Sequence, residues 1–145
     1  ADSAGDLTLN SADPSDPPQL QYRYFETEWD RKRMREAVHL SLRLLEHQSF
    51  GALVERRISP TDYDVATDGA LDTWLRQNVA TTQHTSGTCK MGPDSDPAAV
   101  VDQYCRVRGL ENLRIVDLSV APNVVRANTN ATAIMSAERA AGWFS

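Results

Sequence analysis

His84-Thr85-Ser86-Gly87-Thr88-Cys89-Lys90-Met91-Gly92 is the stretch from which the rest of the chain is read. It is answered by the run from Arg114 to Thr132, R-I-V-D-L-S-V-A-P-N-V-V-R-A-N-T-N-A-T. Histidine is the side chain best suited to move a proton near neutral pH, so His84, just ahead of a Gly-Thr turn, is a candidate general base. The simpler alternative is a loop histidine bonded to backbone. The second run ends in the amides Asn128 and Asn130 around Thr129, just before Ala131 and Thr132. Amides at a helix start can stabilise developing negative charge, and Asn130 is equally a good N-cap.

Working outward, residues 131–143 are small and apolar on one side and read as a closing helix. Arg106-Val107 and residues 113–116 read as short strands around the turn R-G-L-E-N, and residues 81–102 are rich in turn signals. Upstream, Asp68 can cap a helix in which Leu71, Trp74, Leu75 and Val79 share a side, with Trp74 in the core. Thr27 and Asp30 resemble a capping box opening a helix from about Glu28 to His47, whose apolar positions are Met34, Ala37, Val38, Leu42 and Leu45. Its charged face, with Arg31, Arg33, Arg35, Arg43 and Glu46, reads as solvated, and His39 and His47 as surface positions. Residues 5–11 and 20–24 alternate as half-buried strands around the loop A-D-P-S-D-P-P, where proline denies the ladder a donor. Burial is also the expectation for Trp29, Phe50 and Tyr63. The fold class is α+β.

The chain has 145 residues, enough for one core, and its 41% hydrophobic and 24% charged content excludes wholesale disorder. A net charge of -5 with dispersed Lys and Arg argues against a nucleic-acid partner. No apolar run is long enough to span a membrane, and A-D-S-A-G-D lacks the regions of a signal peptide, so the expected location is cytoplasmic. Cys89 and Cys105 lack C-x-x-C spacing and are expected as reduced thiols. A catalytic zinc takes three protein ligands, and only His84 and Cys89 are close in sequence, so no metal is expected.

The combination of motifs resembles the C-terminal part of the glucose-methanol-choline oxidoreductase family, whose members use FAD to oxidise alcohols. The matching residues are His84, Gly87-Thr88-Cys89, Met91-Gly92, Val101-Asp102, Arg106-Val107 and Gly109. They continue through Leu113 to Asp117, Ser119, Pro122, Asn128-Thr129-Asn130 and the helix residues Met135 and Ala137 to Ala140. The resemblance implies that residues 1–80 belong to a substrate-binding domain. Residues 81–145 would then carry the catalytic histidine loop and a strand and helix returning to a Rossmann-like FAD domain. It implies that His84 takes the hydroxyl proton while Asn128, at a position the family fills with histidine or asparagine, holds the same oxygen. It places Asp117, Leu118, Asn128, Thr129, Asn130 and Ala131 against the cofactor. Asp117 has a simpler alternative as a turn or cap residue. Leu118 departs from the alanine common in the family, and Cys89 becomes a small buried side chain.

None of the seven glycines forms G-x-G-x-x-G. The partner implied is therefore the N-terminal FAD-binding half of the same enzyme, in the same gene or a separate chain, and the substrate a small alcohol. Without that half the chain is expected to be colourless and inactive. A hydroxynitrile-lyase-type reaction on the same scaffold, or a non-enzymatic interaction or folding module, are the alternatives.

Overall fold

In the computed structural model, which describes residues 1–144, the proline-rich loop near the start closes a short ribbon. Strands β1 (Asp6–Thr8) and β2 (Gln19–Gln21) pair antiparallel with Leu7 opposite Leu20. Asp13 shapes the loop: its carboxylate accepts from Ser15 N–H at 2.9 Å and its carbonyl from Asp16 N–H at 3.1 Å. A Cβ on Gly5 would lie 2.1 Å from the Gln21 carbonyl oxygen, so this approach requires glycine. The alternation does not bring the expected half-burial: all six strand residues are exposed. A ribbon two strands wide and three residues long is too small to bury its own faces.

The ribbon belongs to the first of two compact units, residues 1–80 and 81–145. Helix α1 (Glu28–Leu45) starts at Thr27, whose hydroxyl accepts from Asp30 N–H at 3.2 Å. The reciprocal half of the capping box is diverted. Asp30 accepts instead from the N–H groups of Asp2 at 3.0 Å and Ser3 at 2.7 Å, while the Ser3 hydroxyl accepts from Thr27 N–H at 3.2 Å. Burial pushes the Asp30 carboxyl up, but the bonds from Ser3, Asp2 and Thr27 outweigh it and hold the group well below the usual range. Because the folded value is depressed, the stabilisation is complete above the ordinary Asp value of about 4 and fades as pH falls through the folded value. Asp30→Asn is expected to raise hydrogen exchange at the Asp2 and Ser3 amides roughly tenfold or more at pH 7. Protection factors measured on acidification should converge with the wild type; a difference that persists unchanged in acid would contradict this account.

Helix α1 stops at Leu45 because His47 caps the next helix, α2 (Gln48–Gly51), with Nδ1 accepting from Ser49 N–H at 3.2 Å. Helix α3 (Asp68–Asn78) is capped by Thr67 rather than Asp68, the threonine hydroxyl accepting from Ala70 N–H at 3.2 Å. It buries Leu71 and Leu75.

The charged face of α1 is not all solvated. Arg35 is only 9% exposed: Nη1 donates to both Asp72 oxygens at 2.8 and 3.0 Å, Nη2 to Glu28 at 2.5 Å, and Nε lies 3.3 Å from Asp68. Three carboxylates repay the desolvation that a lone guanidinium would not survive, so a charge joins α1 to α3. Meanwhile Met34, Leu40, Leu44 and Leu45 are exposed, as are Trp29, Phe50 and Tyr63. Trp74 is half-buried, not core, and its indole N–H donates to the Ser59 hydroxyl at 3.0 Å. It borders an open apolar groove of about 320 Å³ with Met34, Val38, Leu42 and Pro60, so the apolar stripe of α1 lines space instead of filling a core.

The second unit holds a small core of Val101, Cys105 and Val120, against which Met91, Val107, Ile115, Val116 and Trp143 pack. Burial pushes the Cys105 thiol up, which suits an inert packing cysteine. The strands expected at residues 106–107 and 113–116 are reduced to isolated bridges, Arg106 with Arg114 and Val107 with Val101. Met91 pairs with Val101 in parallel. The closing helix α4 spans Asn130–Ala141. Among the described residues no helix is long and apolar enough to cross a membrane.

Candidate functional site

The two stretches that dominate the sequence are bonded to each other in the second unit. Residues 87–91 run beside the 3₁₀ turn Leu118–Val120. Gly87 N–H donates to the Leu118 carbonyl at 3.2 Å, Cys89 N–H to Ser119 at 2.9 Å and Met91 N–H to Val120 at 2.8 Å. Gly87 has φ +84°, the left-handed region that glycine enters without strain, and this lets the chain turn between His84 and the bonded segment. Behind the loop, Val100 N–H donates to the Lys90 carbonyl at 2.9 Å, and Arg108 donates to the Gly92 carbonyl at 2.7 Å and to Asp94 at 2.6 Å. The loop is thereby held on both sides.

Asp117 lies at the start of that 3₁₀ turn, extended at φ -147° and ψ -169°. Its carboxylate accepts from Ser119 N–H at 2.7 Å and caps the turn that carries Leu118. Leu118 is half-buried. Cys89 is likewise half-buried, and no cluster of residues able to hold a metal occurs among the described residues.

His84 is exposed, and its Nδ1 lies 3.2 Å from the hydroxyl oxygen of Thr129. Thr129, not Asn130, is the N-cap of α4, and it is buried. It makes no side-chain cap bond: its backbone is already helical, at φ -80° and ψ -17°, whereas a capping residue is normally extended. Asn128 and Asn130 flank it, both exposed, and neither side chain makes a hydrogen bond among the described residues. Ala131 is also exposed in the first turn. Two residues after His84, the Ser86 hydroxyl oxygen is buried with no hydrogen-bond partner among the described residues.

The structure brings Thr129 of the expected amide stretch to His84, a bond that the sequence reading did not foresee. The only signal available was that a Thr lay between two amides at a helix start. Chemically the site has an exposed histidine with Nδ1 engaged by Thr129, two exposed amides without hydrogen bonds among the described residues and a helix end whose first N–H groups receive no side-chain cap. Such a donor set fits a flat ligand edge that carries acceptors or partial negative charge.

Comparison with known proteins gives one consistent result. The family model described as GMC oxidoreductase matches residues 1–137. The oxygen-dependent choline dehydrogenase of Vibrio vulnificus is 44% identical over 140 residues, 97% of this chain and 25% of that protein. The human mitochondrial choline dehydrogenase is 40% identical over 139 residues, 96% of this chain and 23% of that protein. The crystal structure of pyridoxine 4-oxidase from Mesorbium loti superposes with a TM-score of 0.86 at 31% identity, over 97% of this chain and 27% of that one. The chain spans about a quarter of the length of these relatives.

Proposed function

The chain belongs to the GMC oxidoreductase family, and from that premise we propose that it forms part of an FAD-dependent enzyme oxidising a CH–OH group of a small alcohol to a carbonyl. In this reading His84 takes the hydroxyl proton at Nε2, the nitrogen that Thr129 leaves free. Asn128 donates its amide hydrogen to the same oxygen and orients the alcohol without titrating. Bound FAD supplies the acceptor for the hydride that leaves the carbon. The groups available to hold it are the first turn of α4 (Asn130 and Ala131), the backbone at Asn128 and Thr129, and the Asp117–Leu118 turn. A ring edge held at the N-terminus of α4 would have negative charge on it favoured by the positive helix end.

The observation that carries the reading is the direct bonding of the histidine loop to the amide-bearing stretch, through the Gly87, Cys89 and Met91 amides and the His84–Thr129 contact. The remaining three quarters of the length found in the relatives would supply the dinucleotide-binding part, in the same polypeptide or a separate chain.

Co-expression with an upstream G-x-G-x-x-G segment tests the proposal. The expected product is yellow and bleaches when an alcohol is added anaerobically, with choline the first substrate to try because two of the relatives are named for it. Turnover with flavin that stays oxidised throughout would overturn the oxidation chemistry.

A further inference from the structure

Among the described residues three helices begin at a threonine N-cap, and two of those threonines do the work of a cap. Thr27 (φ -83°, ψ 145°) and Thr67 (φ -143°, ψ 158°) are extended and accept from the N–H three residues on. Thr129 is helical, withholds its hydroxyl from α4 and presents it 3.2 Å from His84 Nδ1. A local rule broken at one of three equivalent positions, beside the residue assigned the chemistry, marks a functional constraint on that side chain.

We propose that Thr129 is the positioning residue of His84. Its hydroxyl oxygen accepts the Nδ1–H, fixes the plane of the ring and makes Nε2 the nitrogen that meets the substrate. This rests on the reading of His84 as the base. A hydroxyl can donate or accept, so the contact is compatible with either neutral tautomer. Only one of them does the chemistry. If Thr129 donated to Nδ1, Nε2 would carry the hydrogen and have no lone pair for the substrate proton. With Nδ1–H donated to Thr129, the Nε2 lone pair faces outward. After proton transfer both nitrogens carry hydrogen, and Thr129 Oγ1 remains the acceptor for Nδ1–H, so one hydrogen bond serves the ring before and after the step. Burial of Thr129 makes this bond hard for water to replace, while the exposed edge of His84 stays open.

The test compares Thr129→Val, Thr129→Ser and His84→Ala in the complete FAD-loaded enzyme. Histidine ¹⁵N resonances are assigned to His84 by their loss in His84→Ala. The expected wild-type spectrum shows a protonated Nδ1 and a bare Nε2 at pH values where the ring is neutral. Thr129→Ser keeps that pattern, and Thr129→Val moves the ring toward the Nε2–H form. Flavin reduction is expected to fall about tenfold or more in Thr129→Val, to recover in Thr129→Ser, and to show the loss in kcat more than in KM. Thermal unfolding separates this from capping: Thr67→Val lowers the melting midpoint, and Thr129→Val does not. A wild-type ring in the Nε2–H form, or a Thr129→Val enzyme with wild-type tautomer and rate, would refute the assignment. Unchanged reduction in His84→Ala would instead remove the base reading, and the spectrum would still decide what Thr129 does to the ring.

Discussion

His84→Ala in the complete enzyme is expected to slow flavin reduction by about 10²–10⁴-fold, the contribution of a positioned general base, while FAD remains bound. The expectation follows from where the side chain is held. In the proposed reading the groups that would hold the cofactor are the main chain at the start of α4 and the Asp117–Leu118 turn, not the imidazole itself. Gly87, Cys89 and Met91 hold the loop to residues 118–120 through main-chain bonds that survive truncation of His84. The flavin spectrum and the FAD content after gel filtration should therefore match the wild type. Stopped-flow reduction should not, and the pH-dependent limb that reports the base should vanish from the profile. An alanine variant that reduces its flavin at the wild-type rate would exclude His84 as the base. One that loses FAD would mean that the loop is part of the binding site instead.

What the sequence made legible here, and what it hid, divides along a physical line. Short motifs that bear chemistry, such as His84 before Gly87 and Asn128-Thr129-Asn130, could be read in linear order, and the structure joins them. Helix existence was legible from period and caps, since α1, α3 and α4 all arise where apolar residues recur at helical spacing. Burial was not. Arg35 looked like one more charge on a solvated face because its partners Asp68 and Asp72 are distant in sequence, and only the packing of α1 on α3 makes it an interior ion. The reverse error befell Leu7, Leu20, Trp29 and Tyr63, whose apolar character promised a core that these residues do not enclose. These exposed apolar residues lie in a chain that spans about a quarter of its relatives' length. Caps were half legible: the pattern found Thr27, but chose Asp68 and Asn130 where Thr67 and Thr129 precede the helices. Ranking by residue type cannot see the backbone angle that decides whether a hydroxyl reaches its amide.

Asn128→Ala is expected to lower the rate of flavin reduction by about 10²–10³-fold, in line with the loss of one preorganised donor to an oxygen that gains negative charge. The argument starts from the idleness of the side chain. Asn128 lies immediately before the residue bonded to His84, is exposed, and has no hydrogen bond among the described residues to spend its amide on. An amide that caps nothing and braces nothing costs little stability to remove, so the unfolding midpoint should barely move. In the proposed reading its amide hydrogen is left for the substrate oxygen. Because an amide does not titrate, the loss should appear as a uniform drop across the pH profile, in contrast to the lost limb expected for His84→Ala. Asn128→His keeps a donor at the same point and should restore part of the rate. Asn128→Asp replaces the donor with a carboxylate that repels a developing alkoxide and should be no better than alanine. If Asp and Ala variants both reduce flavin as fast as the wild type, Asn128 does not touch the reacting oxygen, and His84 with its threonine must suffice for the proton transfer.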